Sequence, residues 1–134
     1  MNWLRQTMAN LTLALVLAAC AGMGSAPVKY SGGVFTDSAG MTLYSFDNDT
    51  AGSGKSVCNG PCAKNWPPLA AGANDKAGGD WTIITRDDGS LQWAFYGKPV
   101  YLWSKDQKPG DKTGDGFNNA WRVVKFEFQV PMSR

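Results

Sequence analysis

Residues 40–49, Gly-Met-Thr-Leu-Tyr-Ser-Phe-Asp-Asn-Asp, return 57 positions later as residues 97–106, Gly-Lys-Pro-Val-Tyr-Leu-Trp-Ser-Lys-Asp. Both copies read Gly, two residues, Leu or Val, Tyr, any residue, Phe or Trp, two residues, Asp. A degenerate internal duplication constrains a fold strongly, because each copy must form the same local structure and the copies must then pack together. Each copy has the physics of a strand leaving a tight turn. Gly40 or Gly97 supplies the turn, and Tyr44 with Phe46, or Tyr101 with Trp103, supplies one buried face at period two. Asp49 or Asp106 closes the strand by accepting hydrogen bonds from local backbone amides. Aromatic cross-strand pairs stabilise sheets, so these four rings are expected in the core of a duplicated hairpin rather than on a ligand platform.

The chain has 134 residues, 43% hydrophobic and 18% charged, which suits one globular domain. Sixteen glycines and seven prolines favour turns and short strands over long helices. Strands are expected over 33–36, 41–46, 81–85, 91–96 and 100–103. The last run is the clearest: Val124, Phe126, Phe128 and Val130 alternate with Val123, Lys125, Glu127 and Gln129, as in a half-buried antiparallel strand. Residues 61–65 can form one helical turn, and 70–80 read as a loop. The predicted fold is all-β: a small antiparallel sandwich or open barrel of two pseudo-repeated hairpins, with one short helical turn near the cysteine pair. The domain is placed at 29–131, with the repeat at 33–49 and 90–106.

Residues 1–19 read as an export signal. Arg5 precedes a short apolar run, Leu11 to Ala19, too short to span a bilayer, and Leu17-Ala-Ala-Cys20 follows. This pattern resembles a bacterial lipoprotein signal with Cys20 as the acylated first residue of the mature chain. Residues 20–28 then form a tether. With Ala21 rather than Asp after Cys20, the expected address in a diderm cell is the periplasmic side of the outer membrane. The implied partners are the membrane, through the lipid, and an unidentified envelope protein or small ligand; the protein is expected to be a monomer.

Cys58 and Cys62 remain. In an exported protein a close pair reads first as a disulfide, which for so small a loop stabilises by about 2 kcal/mol. The alternative is a redox pair or a Cu(I) site. The chain has no histidine, which removes the commonest general base and metal ligand. A formal charge of +2 without a basic tract gives no footprint for nucleic acid. Asp87, Asp88 and Glu127 could in principle form a carboxylate pair, yet Asp87-Asp88-Gly89 reads more simply as a hairpin turn. No catalytic residue and no cofactor are expected. Asp47, Asp49, Asp111 and Asp115 lie in loops with the rhythm of a weak calcium site, but lack the ligands of an EF-hand. Trp66, in a proline-bounded loop, is the aromatic expected to be exposed, and so a possible stacking contact for a sugar or hydrocarbon.

Phe35-Thr-Asp37, the segment 40–49, Cys58, Cys62-Ala-Lys-Asn-Trp-Pro-Pro68, Asp88-Gly-Ser and Gly97-Lys-Pro-Val-Tyr101 together resemble the bacterial secreted-repeat lipoproteins, described by a Tyr-x-(Phe/Trp/Tyr)-x-x-Asp motif. The similarity covers residues 30–125. It implies a short exported protein of unestablished activity, with hints of alkane use in the group. Many relatives place a histidine after the tryptophan, where this chain has Arg122.

Overall fold

The computed structural model describes residues 26–126. The signal segment, Cys20 and residues 127–134, including Glu127 and the second half of the predicted last strand, lie outside the described residues.

Eight short strands and one helical turn follow one another: β1 (Val28–Ser31), β2 (Val34–Asp37), β3 (Tyr44–Phe46), α1 (Pro61–Asn65), β4 (Ala70–Ala71), β5 (Trp81–Thr85), β6 (Leu91–Phe95), β7 (Lys98–Tyr101) and β8 (Trp121–Val123). A single 3-10 turn, Phe117–Asn119, precedes β8. All pairing is antiparallel. β1 and β2 form one hairpin. The other six form a second sheet in which β4, β6, β7, β3 and β8 lie in that order, with β5 also on β6. The sheets are sandwich-like and do not close into a barrel.

Local chemistry explains the turns. Residues 32 and 33 are both glycines with positive φ, which closes the β1–β2 hairpin. Asp88 Oδ1 accepts from the amide and hydroxyl of Ser90, fixing the β5–β6 turn and holding the Asp88 carboxyl below its ordinary range. Tyr96-Gly97 is the two-residue turn between β6 and β7, with φ of 47° and 78°. Gly97 cannot be replaced easily: a Cβ there would sit 2.5 Å from the Gly52 nitrogen, whose N–H donates to the Gly97 carbonyl.

Alternation along the central strands separates two cores. Tyr44 and Tyr101 face one cluster with Phe46, Trp66, Trp103 and Trp121, whereas their neighbours Leu43 and Val100 face another with Phe35, Leu69, Trp93 and Phe95.

Several sequence expectations change. Ala26 is buried, and Val28, expected in the tether, belongs to β1. The predicted loop 70–80 opens with β4. β7 begins at Lys98 rather than Val100, and β8 covers Trp121–Val123, starting before the expected alternation at Val123. Segment 41–46 does not simply form a hairpin with 33–36. It touches β2 through the Thr36–Thr42 bridge, while β3 itself lies between β7 and β8.

Candidate functional site

The repeated motif assembles at the centre of the sheet, where Tyr44 of β3 stands directly opposite Tyr101 of β7. Around this pair the two halves exchange parts. β8, from the second half, lies on β3 of the first, with Tyr44 opposite Val123. Pro68, from the first half, bridges to Tyr101 of the second. The surrounding backbone hydrogen bonds come in matched pairs. Val124 N–H donates to the Leu43 carbonyl at 2.9 Å and Leu69 N–H to the Val100 carbonyl at 3.0 Å. Phe35 N–H donates to Val124 at 3.0 Å, and Trp93 N–H to Leu69 at 2.9 Å. The molecule thus has an approximate twofold between β3 and β7.

The side chains obey the same exchange. The Tyr44 hydroxyl donates to Asp106 Oδ2 at 2.7 Å, and the Tyr101 hydroxyl to Asp49 Oδ2 at 2.5 Å. Each motif tyrosine is therefore held by the other motif's aspartate. The second oxygen of each carboxylate closes its own loop: Asp49 Oδ1 accepts from Val57 N–H at 2.7 Å, and Asp106 Oδ1 from Thr113 N–H at 3.0 Å. Only this local half of the aspartate role is readable from sequence. Burial, and secondarily the carboxylate partner, push both tyrosine hydroxyls well above their ordinary pKa. The sign is fixed: the unfolded chain loses these protons near pH 10 while the folded chain retains them, so stability is complete below that pH and lost above it. Urea denaturation between pH 8 and 11.5 is expected to show the midpoint falling above about pH 10, less steeply in Tyr44→Phe and Tyr101→Phe. Equal slopes in wild type and both variants would contradict the assignment.

Below the tyrosines, four rings form a continuous stack. Phe46 lies on Trp121 at 4.2 Å, Trp121 on Trp66 at 3.8 Å and Trp66 on Trp103 at 3.9 Å. The rings come alternately from the two halves. Tyr44 meets Trp66 edge-on, as Tyr101 meets Trp121. Trp66 is only 3% exposed, which corrects its expected place on the surface. Its proline-bounded loop is drawn inwards because the ring's partner, Trp121, lies 55 residues away, a contact without a local sequence signal.

Cys58 and Cys62 are joined as a disulfide, with Cys58 fully buried against the ring stack. Arg86, which sequence reasoning missed, is buried behind it. Its guanidinium donates to Ser56 Oγ at 2.9 Å, Gln92 Oε1 at 2.7 Å, Asn59 Oδ1 at 3.2 Å and the Cys58 carbonyl. Ser56 Oγ lies 2.6 Å from the Tyr101 hydroxyl, so the chain Arg86–Ser56–Tyr101–Asp49 links a buried cation to a buried carboxylate. A β-strand end such as Thr85-Arg86-Asp87 signals a turn, and nothing local says that its arginine points inwards.

The carboxylates considered for calcium do not converge. Asp47 pairs with Arg122 at 3.1 Å, Asp49 is held by Tyr101 and Val57, Asp111 by the amides of Gln107 and Lys108, and Asp115 by that of Val123. Among the described residues no three His, Cys, Asp or Glu side chains come together as a metal site, which corrects the calcium candidates. The oxygens of Asp49, Asp111 and Asp115 instead satisfy backbone amides that would otherwise lack partners, and Asp47 is taken up by Arg122. Beside the disulfide, α1 and the β5–β6 turn enclose an open groove of about 530 Å³, lined by Asn59, Ala63, Pro68, Asp87, Asp88 and Leu91 among others.

Fold and site define a class: an all-β domain made of two copies of one motif, locked by reciprocal strand and side-chain exchange. A family model described as a secreted repeat of unknown function matches residues 28–70 and 82–125, one span for each half. The chain belongs to this family of exported repeats. No curated protein and no solved structure matches it. Among the described residues no helix is long and apolar enough to cross a membrane.

Proposed function

We propose that the protein is a lipid-anchored exported domain, acylated at Cys20, that serves the cell envelope as a non-catalytic binding module on the periplasmic side of the outer membrane. The observation that carries this reading is the inward, mutually satisfied placement of the motif. A general acid, base or nucleophile needs a functional atom facing its substrate. Tyr44, Tyr101, Asp49 and Asp106 face one another instead, so the residues that repeat in the chain maintain the fold. Binding then falls to the loops and grooves in which the two halves differ. The groove beside the Cys58–Cys62 disulfide offers a partner an apolar floor at Pro68 and Leu91 and a polar rim at Asp87 and Asp88.

Export and anchoring are tested on the protein from its own cells. Intact mass is expected to show acyl chains on an N-terminal Cys20, and Cys20→Ser is expected to move the protein from the membrane to the soluble fraction. An unmodified, freely soluble wild-type protein would end this reading.

A further inference from the structure

A row of aromatic rings runs to the surface on the face away from the stacked tryptophans. Tyr30 packs on Phe35 at 5.0 Å, Phe35 on Phe95 at 4.8 Å, and Phe95 on Tyr96 at 4.6 Å, with Trp81 against both phenylalanines. The phenylalanines are buried, Trp81 is half-buried, and the two ends of the row are open, Tyr30 at 55% and Tyr96 at 59% exposure.

Tyr96 is the informative member. It occupies the first position of the β6–β7 turn with φ of 47°, where asparagine, aspartate or glycine is favoured. A bulky side chain in the left-handed region costs the fold energy, and here the ring gains little burial in return. Its backbone N–H donates to the Asp80 carbonyl at 2.9 Å. The twofold gives a second indication. The twofold matches Phe35 to Trp93, so the counterpart of Tyr30, which stands opposite Phe35, is Ile83, opposite Trp93; the exposed ring at this end of the row is not a product of the duplication.

We propose that Tyr30, Tyr96 and Trp81 form a membrane-facing surface that seats the domain on the lipid headgroups of the bilayer holding it. The occupant follows from the route of the chain. Ala26 is packed in the same core as Phe35 and Phe95. Cys20 stands six residues earlier, so an acylated Cys20 keeps Ala26 within about 20 Å of the membrane. Tyr30 follows Ala26 by about 14 Å of extended strand at most. Tyrosine and tryptophan, with an apolar body and a polar tip, are the side chains that favour the headgroup layer. Lys29 and Asp80 flank the row with opposite charges, so attachment is expected to depend little on salt. The inference rests on the acylation reading for its geometry.

The test removes acylation from the measurement. The mature chain carrying Cys20→Ser is mixed with vesicles of phosphatidylethanolamine and phosphatidylglycerol and sedimented, beside the same chain with Tyr30→Ser and Tyr96→Ser. The unaltered surface is expected to bind vesicles, and the double variant about tenfold more weakly, with unchanged near-ultraviolet circular dichroism. Brominated lipid is expected to quench tryptophan emission, and Trp81→Phe to abolish that quenching. Single Tyr30→Ser, at an exposed strand position, gives an intermediate value should the double variant be unstable. No vesicle binding, equal binding by the variants, or a patch that instead closes a dimer of two copies overturns the proposal. Intact mass of the native protein reports Cys20 acylation separately, so the two failures are distinguishable.

Discussion

Trp121→Ala is expected to lower the unfolding free energy by about 3–5 kcal/mol, a large share of the roughly 5–15 kcal/mol that holds an ordinary domain together. The indole lies between Phe46 at 4.2 Å and Trp66 at 3.8 Å, nearly parallel to both, and takes the edge of Tyr101 on its remaining side. Alanine leaves a cavity inside the stack. The neighbouring rings cannot close it, because each comes from an element fixed elsewhere: Phe46 on β3, Trp66 after α1, Tyr101 on β7. The twofold predicts the same loss for Trp66→Ala. Trp81→Ala, at a half-buried position outside the stack, is the control and is expected to lose about 2 kcal/mol or less. Equilibrium urea denaturation of the three variants decides the matter. A loss for Trp121→Ala no greater than for Trp81→Ala would falsify the stack as the centre of stability.

The second large effect is expected at Arg86. Arg86→Met replaces a buried guanidinium by an apolar chain of similar length and leaves the Cys58 carbonyl, Gln92 Oε1 and Asn59 Oδ1 without that donor. At about 1 kcal/mol or more for each abandoned acceptor, the loss is expected near 3 kcal/mol. Arg86→Lys should recover little of it. An ammonium is a compact donor and cannot serve acceptors spread along two faces of a planar fork. The comparison separates charge from geometry: if charge opposite Asp49 were the main requirement, lysine would restore stability. Chemical denaturation at pH 7 measures both variants, and a neutral Arg86→Lys would contradict the hydrogen-bond account.

The position of Arg86 also explains why the disulfide matters beyond its small loop. The guanidinium holds the Cys58 carbonyl, and Ser56 Oγ accepts from both Arg86 and Cys58 N–H. The segment 56–59 is thereby tied to β5 and β6, and through Tyr101 to the motif.

The sequence was most legible where structure depends on near neighbours. The duplication, the burial of Tyr44, Phe46, Tyr101 and Trp103, the helical turn at Pro61–Asn65, the Asp88-Gly89 turn and the close cysteine pair could all be read from spacing and residue type. β1 was missed because its strand is largely exposed, so Val28–Ser31 carries no alternation. Trp66 was misjudged for a different reason. Flanking prolines say that the backbone is irregular, but burial of the ring is decided by Trp121 in the other half.

Sequence alone determined that this chain makes two similar aromatic ribbons, each with a glycine turn and a terminal aspartate, since those features arise from backbone sterics and hydrogen bonds within a few residues. It did not determine which copy each piece completes. A strand gains the same ladder hydrogen bonds from its own copy or from the other, and Asp49 or Asp106 could accept from either tyrosine. Only the tertiary structure selected the exchange, because crossing the pieces between halves brings Trp66 and Trp121 face to face and buries four rings in one stack.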